Sequence, residues 1–132
     1  MKKNELLDVY CNIHKKCIST LHTSGPRYGR LFRHANHVLI RNAVFRVRQG
    51  TRQKAVKTKT RSVHAFCRGE VDFDYDVAPL VNRHDAVRVR YQPFVRGEFF
   101  RPDTGESVYS ADMVVIIGKF MVAFNPNSSG PL

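Results

Sequence analysis

The sequence predicts an α+β domain, in which one N-terminal amphipathic helix packs on a curved antiparallel sheet or partly open barrel of about six strands. Three observations predict this class. Apolar residues in 5–22 fall on one helical arc, the chain after Pro26 alternates apolar and polar residues, and short turns rather than crossover helices join the segments. With 132 residues, 42% of them hydrophobic, the chain can build one core without disulfides or metal.

Residues 5–22 have the pattern of the helix. At 100° per residue, Leu6, Val9, Ile13 and Cys17 lie within an apolar arc of about 180°, and charged residues lie opposite. The turn-forming residues 23–26 end it. So broad an apolar face predicts packing against a sheet or another helix.

The segments after Pro26 have the alternation of β-strands. Between them, residues 49–60 carry Gly50, four cations and few apolar residues, which predicts a mobile loop or the far end of a long hairpin. Pro-Asp-Thr-Gly at 102–105 predicts a turn, and Gly118-Lys119 predicts a tight hairpin turn. The predicted strands are 38–40, 43–48, 62–77 with a bulge at Gly69, 86–91 continuing over 94–100, and the two arms of 113–124. We expect one domain over residues 1–125 and a flexible tail over 126–132.

All the excess of positive charge lies in the first half of the chain. The formal net charge is +11. Residues 9–69 hold 14 Lys and Arg and no Asp or Glu, whereas residues 70–132 hold nine acidic side chains against six basic ones. Solubility does not require the exclusion of every carboxylate, because mixed charges solubilise equally well. A polyanionic partner does favour it, because a carboxylate near a bound phosphate opposes binding.

The sequence therefore predicts a nucleic-acid-binding protein, with DNA or RNA as the partner and no cofactor. Its affinity should be largely electrostatic and only weakly sequence-specific. The interleaved cations and rings of 27–34 and 45–48 suit a groove that tracks phosphates and stacks bases. Tyr28 is the better stacking candidate, and Phe45 is expected in the core. The predicted contact residues are Arg27, Tyr28, Arg30, Arg33, Arg41, Arg46, Arg48, Arg52, Lys54, Lys57, Lys59 and Arg61.

A small metal-independent ribonuclease is the alternative from the enzyme class, although no catalytic motif predicts an enzyme. Such chemistry needs a general acid and base that titrate near neutral pH, together with cations for the phosphorane. His64, with Lys59 and Arg61 as basic neighbours, is the candidate site.

Two groups of residues are candidate metal ligands, and neither predicts a metal site. Cys11, His14, Cys17 and His22 have zinc-binding side chains, but on one helix Cys11 and His22 would be about 16 Å apart. The acidic stretch 70–76 places four carboxylates at a spacing of two, which could hold Mg²⁺. Cross-strand ion pairs with Arg88 and Arg90 are the favoured interpretation.

Composition also limits the setting of the protein. Three scattered cysteines form no disulfide framework, and no secretory signal or membrane-length apolar run is present, so we expect an intracellular protein, cytoplasmic or nuclear, that is not secreted and does not bind membranes. A lone small basic domain would suit a viral or mobile-element accessory protein. The third alternative is a self-assembling packaging protein. Contacts between its acidic and basic halves would give salt-sensitive homo-oligomers.

Overall fold

Strands dominate the structure. The computed structural model of the protein describes residues 5–12, 17–59, 63–94, 96–118 and 120–127. Within these residues, eight strands pair antiparallel in one open sheet, and two short helices accompany it. The elements in chain order are β1 (Glu5–Asn12), β2 (Cys17–His22), β3 (Leu31–Ala35), β4 (His37–Val47), α1 (Gln49–Thr58), β5 (Ala65–Asp72), α2 (Ala78–Val81), β6 (Val87–Arg88), β7 (Ser110–Ile117) and β8 (Phe120–Phe124).

The prediction of an N-terminal helix on about six strands is wrong. Residues 5–12 and 17–22 are instead the paired strands β1 and β2, with Val9 opposite Thr20 and Cys11 opposite Ile18. The same residues also fit an alternating pattern, since Leu7, Val9, Ile18 and Thr20 are fully buried on one face. Residues 5–9 pair with β5 on one side of β1 and residues 7–12 pair with β2 on the other, so long-range pairing overrides the local helical pattern.

The prediction of a loop over 49–60 is also wrong, because Gln49–Thr58 is helical. Its apolar face is narrow: Ala55 is its one buried residue. Arg52 anchors the helix by donating from two guanidinium nitrogens to the carbonyl oxygen of Pro93, at 2.7 and 3.1 Å. Lys59 ends the helix in the left-handed conformation, with φ of 56°.

Strand order requires a strongly curved sheet. The order is β3-β2-β1-β5-β4-β7-β8-β6, so three strands separate β3 from β4, yet Asn36 alone connects them along the chain. In a flat sheet these strands would be about 19 Å apart, whereas a one-residue link spans only about 7 Å. The sheet therefore bends, and Arg33 of β3 lies over the ring of Phe73, 4.4 Å from its centroid.

The concave face of the bent sheet holds the main core, and the opposite face is divided. The core comprises Leu7, Val9, Ile18, Val38, Ile40, Ala43, Phe45, Cys67, Val71, Val114 and Ile116, with Val89, Phe99 and Val108 from the loops. On the convex face, α2 and Val77 cover Leu39, Val115, Val122 and Phe124. The convex face of β1, β5 and β4 carries Leu6 and Val44, both about half exposed.

Several local predictions agree with the structure. Strand β4 contains the predicted strands 38–40 and 43–48 up to Val47, Phe45 is in the core, and β7 and β8 form the predicted hairpin, with φ of 57° at Gly118. Lys119 lies outside the described residues. The predicted bulge lies on the partner strand: Asn42 and Ala43 of β4 together face Gly69.

Other predicted strands are shorter than expected. β5 ends at Asp72. Among the described residues of 86–100, Val87–Arg88 alone forms a strand, and Arg90 makes a single bridge to Phe100. The single-domain prediction and the tail boundary stay predictions. Asn127 still exchanges backbone hydrogen bonds with Tyr109 and Ser110, and 128–132 lie outside the described residues.

Candidate nucleic-acid interface

Cross-strand pairing places cations and rings together on the convex face of β1, β5 and β4. Directly paired residues share a face. One row consists of Asp8, Arg68 and Val44, and in the next Phe66 lies opposite Arg46. We call the following set the arginine face: Asp8, Tyr10, Tyr28, Arg46, Arg48, Phe66 and Arg68.

An ion pair joins β1 to β5 within the arginine face. The guanidinium of Arg68 donates from Nε and Nη2 to the two carboxylate oxygens of Asp8, at 2.8 and 2.9 Å. The side chain of Asp8 is 7% exposed and that of Arg68 25%. The hydrogen bond to Asp8 raises the pKa of Arg68, with a smaller contribution from the nearby Tyr28. Because Arg68 donates to both of its oxygens, the Asp8 carboxylate can be buried within a basic surface.

Stacked side chains form the base of the arginine face beside this pair. The Cζ atom of Arg48 lies 4.8 Å from the ring centroid of Phe66, and Tyr10 packs edge-on against the same ring at 5.9 Å. Phe66 is buried as a result, while Arg46 and Arg48 stay exposed. The cation–π contact orients the Arg48 guanidinium without consuming its hydrogen-bond donors.

The loop between β2 and β3 brings Tyr28 to the arginine face. The loop is held by backbone hydrogen bonds from Tyr28 to Gly25 and from Gly29 to His22, and by the hydroxyl of Thr23, which donates to the carbonyl of Leu6. Gly25 and Gly29 take φ of 75° and 78°, a conformation that favours glycine. Tyr28 is 59% exposed. Tyr28 lines a pocket of about 110 Å³. The other lining residues are Asp8, Arg46, Val47, Arg48, Phe66 and Arg68.

The chain resembles one known protein family over nearly its whole length. The family model of the Mycobacterium phage L5 gene 82 protein matches residues 1–124, which include the whole arginine face. The chain belongs to this family. The family is named for a phage protein, which supports the predicted viral setting. No curated protein and no solved structure matches the chain.

The protein gathers only some of its predicted contact residues in one place. Tyr28, Arg46 and Arg48 meet on the arginine face. Exposed on the same loop as Tyr28 are Arg27 and Arg30, and exposed on or just after α1 are Lys54, Lys57 and Lys59. Sequence reasoning missed Arg68, Phe66 and Tyr10, which the β1–β5–β4 pairing brings in.

Three further predicted contact residues have partners within the protein. Arg33 stacks on Phe73, Arg41 forms a 3.3 Å ion pair with Asp72, and Arg52 binds the Pro93 carbonyl. Arg61 lies outside the described residues.

His64, the candidate base of a nuclease, is a buried residue. It is 7% exposed, and its Nε2 lies 2.7 Å from the hydroxyl of Tyr91. Burial raises the pKa of Tyr91, an effect that the nearby Arg52 partly offsets. Lys59 is exposed at the end of α1. A base that is enclosed by its own protein cannot reach a phosphodiester without local opening.

The acidic stretch 70–76 does not present four carboxylates on one strand face, because β5 ends at Asp72. Instead of Arg88 or Arg90, Arg41 pairs with Asp72. Burial alone would raise the pKa of Asp72, but the backbone N–H groups of Asp74 and Tyr75 and the Arg41 guanidinium together lower it. Asp72 is thus engaged as an ion-pair and turn residue.

The cysteine-containing segment is a hairpin and not one helix, so the distance expected along a helix does not apply to it. Cys11 lies opposite Ile18, and Cys17 lies opposite Asn12, so the two thiols are on opposite faces of the hairpin. His14 lies outside the described residues. Among the described residues, no three His, Cys, Asp or Glu side chains could hold one ion. Within that same part of the chain, no helix has the length and apolar character to cross a membrane.

A larger pocket, of about 330 Å³, lies at the β3 edge of the sheet. Its lining includes Arg33, His34, His37 and Phe73. The guanidinium of Arg33 stacks on Phe73, and Nδ1 of His34 lies 2.9 Å from the hydroxyl of Ser19. Because Arg33 is the one arginine among its described lining residues, this pocket is a weaker anion site than the pocket of the arginine face, which has three.

Proposed function

We propose that this protein binds nucleic acid through the arginine face. The observation that carries the proposal is the convergence of Arg46, Arg48 and Arg68 with the exposed Tyr28 on a sheet face where both Arg46 and Arg48 remain exposed. Guanidinium groups bind phosphate oxygens with several donors at once, and an exposed ring offers a stacking surface for bases. A surface with both features matches the two chemical parts of a nucleic acid.

Charge beyond the pocket supports the same proposal. The pocket carries three guanidinium groups and one carboxylate, and that carboxylate is already bound by Arg68. Arg27 and Arg30 extend the positive surface along the loop, and Lys54 and Lys57 lie on the exposed side of α1. Contacts of this kind go mainly to phosphates, so binding should be weakly sequence-specific and steeply salt-dependent.

The nuclease alternative has no comparable support. His64 faces Tyr91 in the interior, whereas the arginines that would stabilise a phosphorane lie on the convex surface. Binding without cleavage is the function that the geometry favours. Whether the protein also assembles on its nucleic acid is a separate question, which light scattering with and without nucleic acid addresses.

Binding of labelled single- and double-stranded DNA and RNA across a salt series tests the proposal. The double variant Arg46→Ala/Arg48→Ala should weaken binding at least tenfold at moderate salt. It should also lower the slope of log affinity against log salt by roughly 1.5, because two phosphate contacts are lost.

The matched control is Arg88→Ala/Arg90→Ala, which removes the same charge near the β6 edge, where Arg88 stacks over Phe120 at 4.4 Å. It should reduce binding far less. Equal losses in both double variants would mean that net charge and not the arginine face drives binding. Absence of binding by the unmodified protein at low salt would refute the proposal itself.

A further inference from the structure

Building on the proposed function, we infer that the pocket of the arginine face holds one nucleotide of a single strand. Its base lies against Tyr28, and its flanking phosphates meet Arg46 and Arg48. The chemical class is thus single-stranded DNA or RNA rather than duplex. The inference depends on three features: the exposure of the rings, the position of the carboxylate and the shape of the pocket.

Ring exposure singles out Tyr28. Within the described part of the arginine face, Phe66 is covered by the Arg48 guanidinium, and Tyr10 packs edge-on against Phe66. Tyr28 is 59% exposed and stands at the wall of the pocket on a loop fixed by its own backbone hydrogen bonds. A ring held in this way offers a stacking face at little cost in conformational entropy.

The carboxylate sets the orientation of the nucleotide. Asp8 lines the pocket but is almost fully buried, while Arg46 and Arg48 are exposed. Both Asp8 oxygens accept from Arg68, so this guanidinium is already engaged by a carboxylate and is a poorer phosphate ligand than the exposed arginines. The phosphates therefore lie outward, beside the exposed arginines. Arg46 and Arg48 are two residues apart in extended backbone, which separates them by about 7 Å. They can therefore lie on two sides of the pocket.

Pocket shape then selects the strand type. In a duplex the faces of the bases are stacked inside the helix, and presenting one to Tyr28 requires its extrusion from the stack. In a single strand the bases splay at much lower cost. A recess with an aromatic wall consequently favours a single strand, although phosphate contacts alone would also retain duplex.

The first test uses the fact that the chain contains no tryptophan. The variant Tyr28→Trp carries one indole, whose fluorescence a stacked base quenches. Titration with a mixed-sequence DNA strand, the matching RNA strand and the DNA duplex of equal length should give quenching with the single strands and little with the duplex. Quenching by DNA but not RNA, or the reverse, would identify which single strand the pocket accepts. Equal quenching by duplex, or binding without quenching, would overturn the inference.

The second test measures affinity. Tyr28→Ala should lower single-strand affinity about tenfold or more and change duplex affinity less than twofold, because stacking is lost and the phosphate contacts remain. Tyr28→Phe keeps the ring and should lose no more than about threefold. Failure of the unmodified protein to bind any nucleic acid would instead refute the proposed function. Binding of both strand types with no effect of Tyr28→Ala would leave that function standing and refute only the single-nucleotide pocket.

Discussion

Arg68 of β5 lies directly opposite Asp8 of β1, and its guanidinium donates to both oxygens of that carboxylate. The pair fixes the middle of the arginine face at a place where little solvent reaches Asp8. It also explains how a carboxylate next to the acid-free stretch of the sequence fits in a basic surface. The geometry of the pocket therefore depends on an internal ion pair as well as on its exposed cations.

Asp8→Asn should destabilise the protein, because the amide cannot neutralise Arg68 and accepts fewer of its hydrogen bonds. We expect the free energy of unfolding to fall by about 2 kcal/mol, below the range for fully buried pairs because Arg68 is partly exposed. Urea denaturation monitored by circular dichroism measures it. Asp103→Asn is the control, because Asp103 pairs with Arg101 but its side chain is 62% exposed. Loss of this exposed ion pair should leave stability unchanged within error. An equal effect of both variants would argue against a special role for Asp8.

Tyr91→Phe should reveal a structural role for His64. The variant removes the hydroxyl that lies 2.7 Å from His64 Nε2 but keeps a ring that stacks on Phe99 at 4.9 Å. Loss of a buried hydrogen bond should lower the free energy of unfolding by about 1–2 kcal/mol. His64→Ala should cost at least as much, and at temperatures where the variant stays folded it should still bind nucleic acid. A nuclease activity that disappears in folded His64→Ala would contradict this interpretation.

Gly69 and Gly50 should respond in opposite ways to alanine. A Cβ at Gly69 would lie 2.5 Å from Cγ2 of Ile40 and 2.7 Å from the carbonyl oxygen of Arg41, beside the β4 bulge. Gly69→Ala should therefore cost about 2–3 kcal/mol of stability. A Cβ at Gly50 meets nothing within 4 Å, so Gly50→Ala in α1 should gain about 0.5 kcal/mol. Thermal and urea melts of the pair check the prediction, and a neutral Gly69→Ala would show that the bulge can relax.

Alternation predicted strands correctly in β4 and in the β7–β8 hairpin. Over 73–77 and 86–91 the residues also alternate, but most of them are not in strands, and β1 was mistaken for part of a helix. In β4 and in the β7–β8 hairpin, burial follows the expected order. On the convex face of β1, Leu6 is exposed and Asp8 is buried, which is the reverse of what a solvent-facing strand should show. Leu6 and Asp8 therefore matched the pattern of an amphipathic helix better than that of a strand. Only the pairing of Asp8 with Arg68, 60 residues away, makes the strand pattern intelligible.

Helix α1 was not predicted because its sequence shows almost no apolar pattern. A helix that buries Ala55 alone leaves almost no apolar stripe in the sequence. Its anchor, the bond from Arg52 to the Pro93 carbonyl, lies 41 residues away. Local periodicity carries no information about such a contact.

The sequence predicted the kind of site, a basic surface with an exposed ring, but not which residues form it. The clustering of charge in the first half, and the exposed position expected of Tyr28, were readable from the residues themselves. Which arginines would be free was not, because Arg33, Arg41 and Arg52 acquire partners only through long-range packing. Arg68 and Phe66 enter the site through the placement of β5 between β1 and β4, which no local pattern specifies.

Acid should weaken the turn after β5 through Asp72. Its pKa is lowered below 3.8 in the folded protein, since the Asp74 and Tyr75 N–H groups and Arg41 outweigh the effect of burial. A carboxyl with a depressed folded pKa contributes stability above its unfolded pKa and loses it as pH falls through the folded value. The stability difference between the unmodified protein and Asp72→Asn should therefore be largest near neutral pH, at no more than about 1 kcal/mol, and shrink below about pH 4. Urea denaturation of both proteins from neutral pH down to about pH 3 measures this difference. A difference that is constant with pH would mean that the charge of Asp72 contributes nothing and that only its geometry matters.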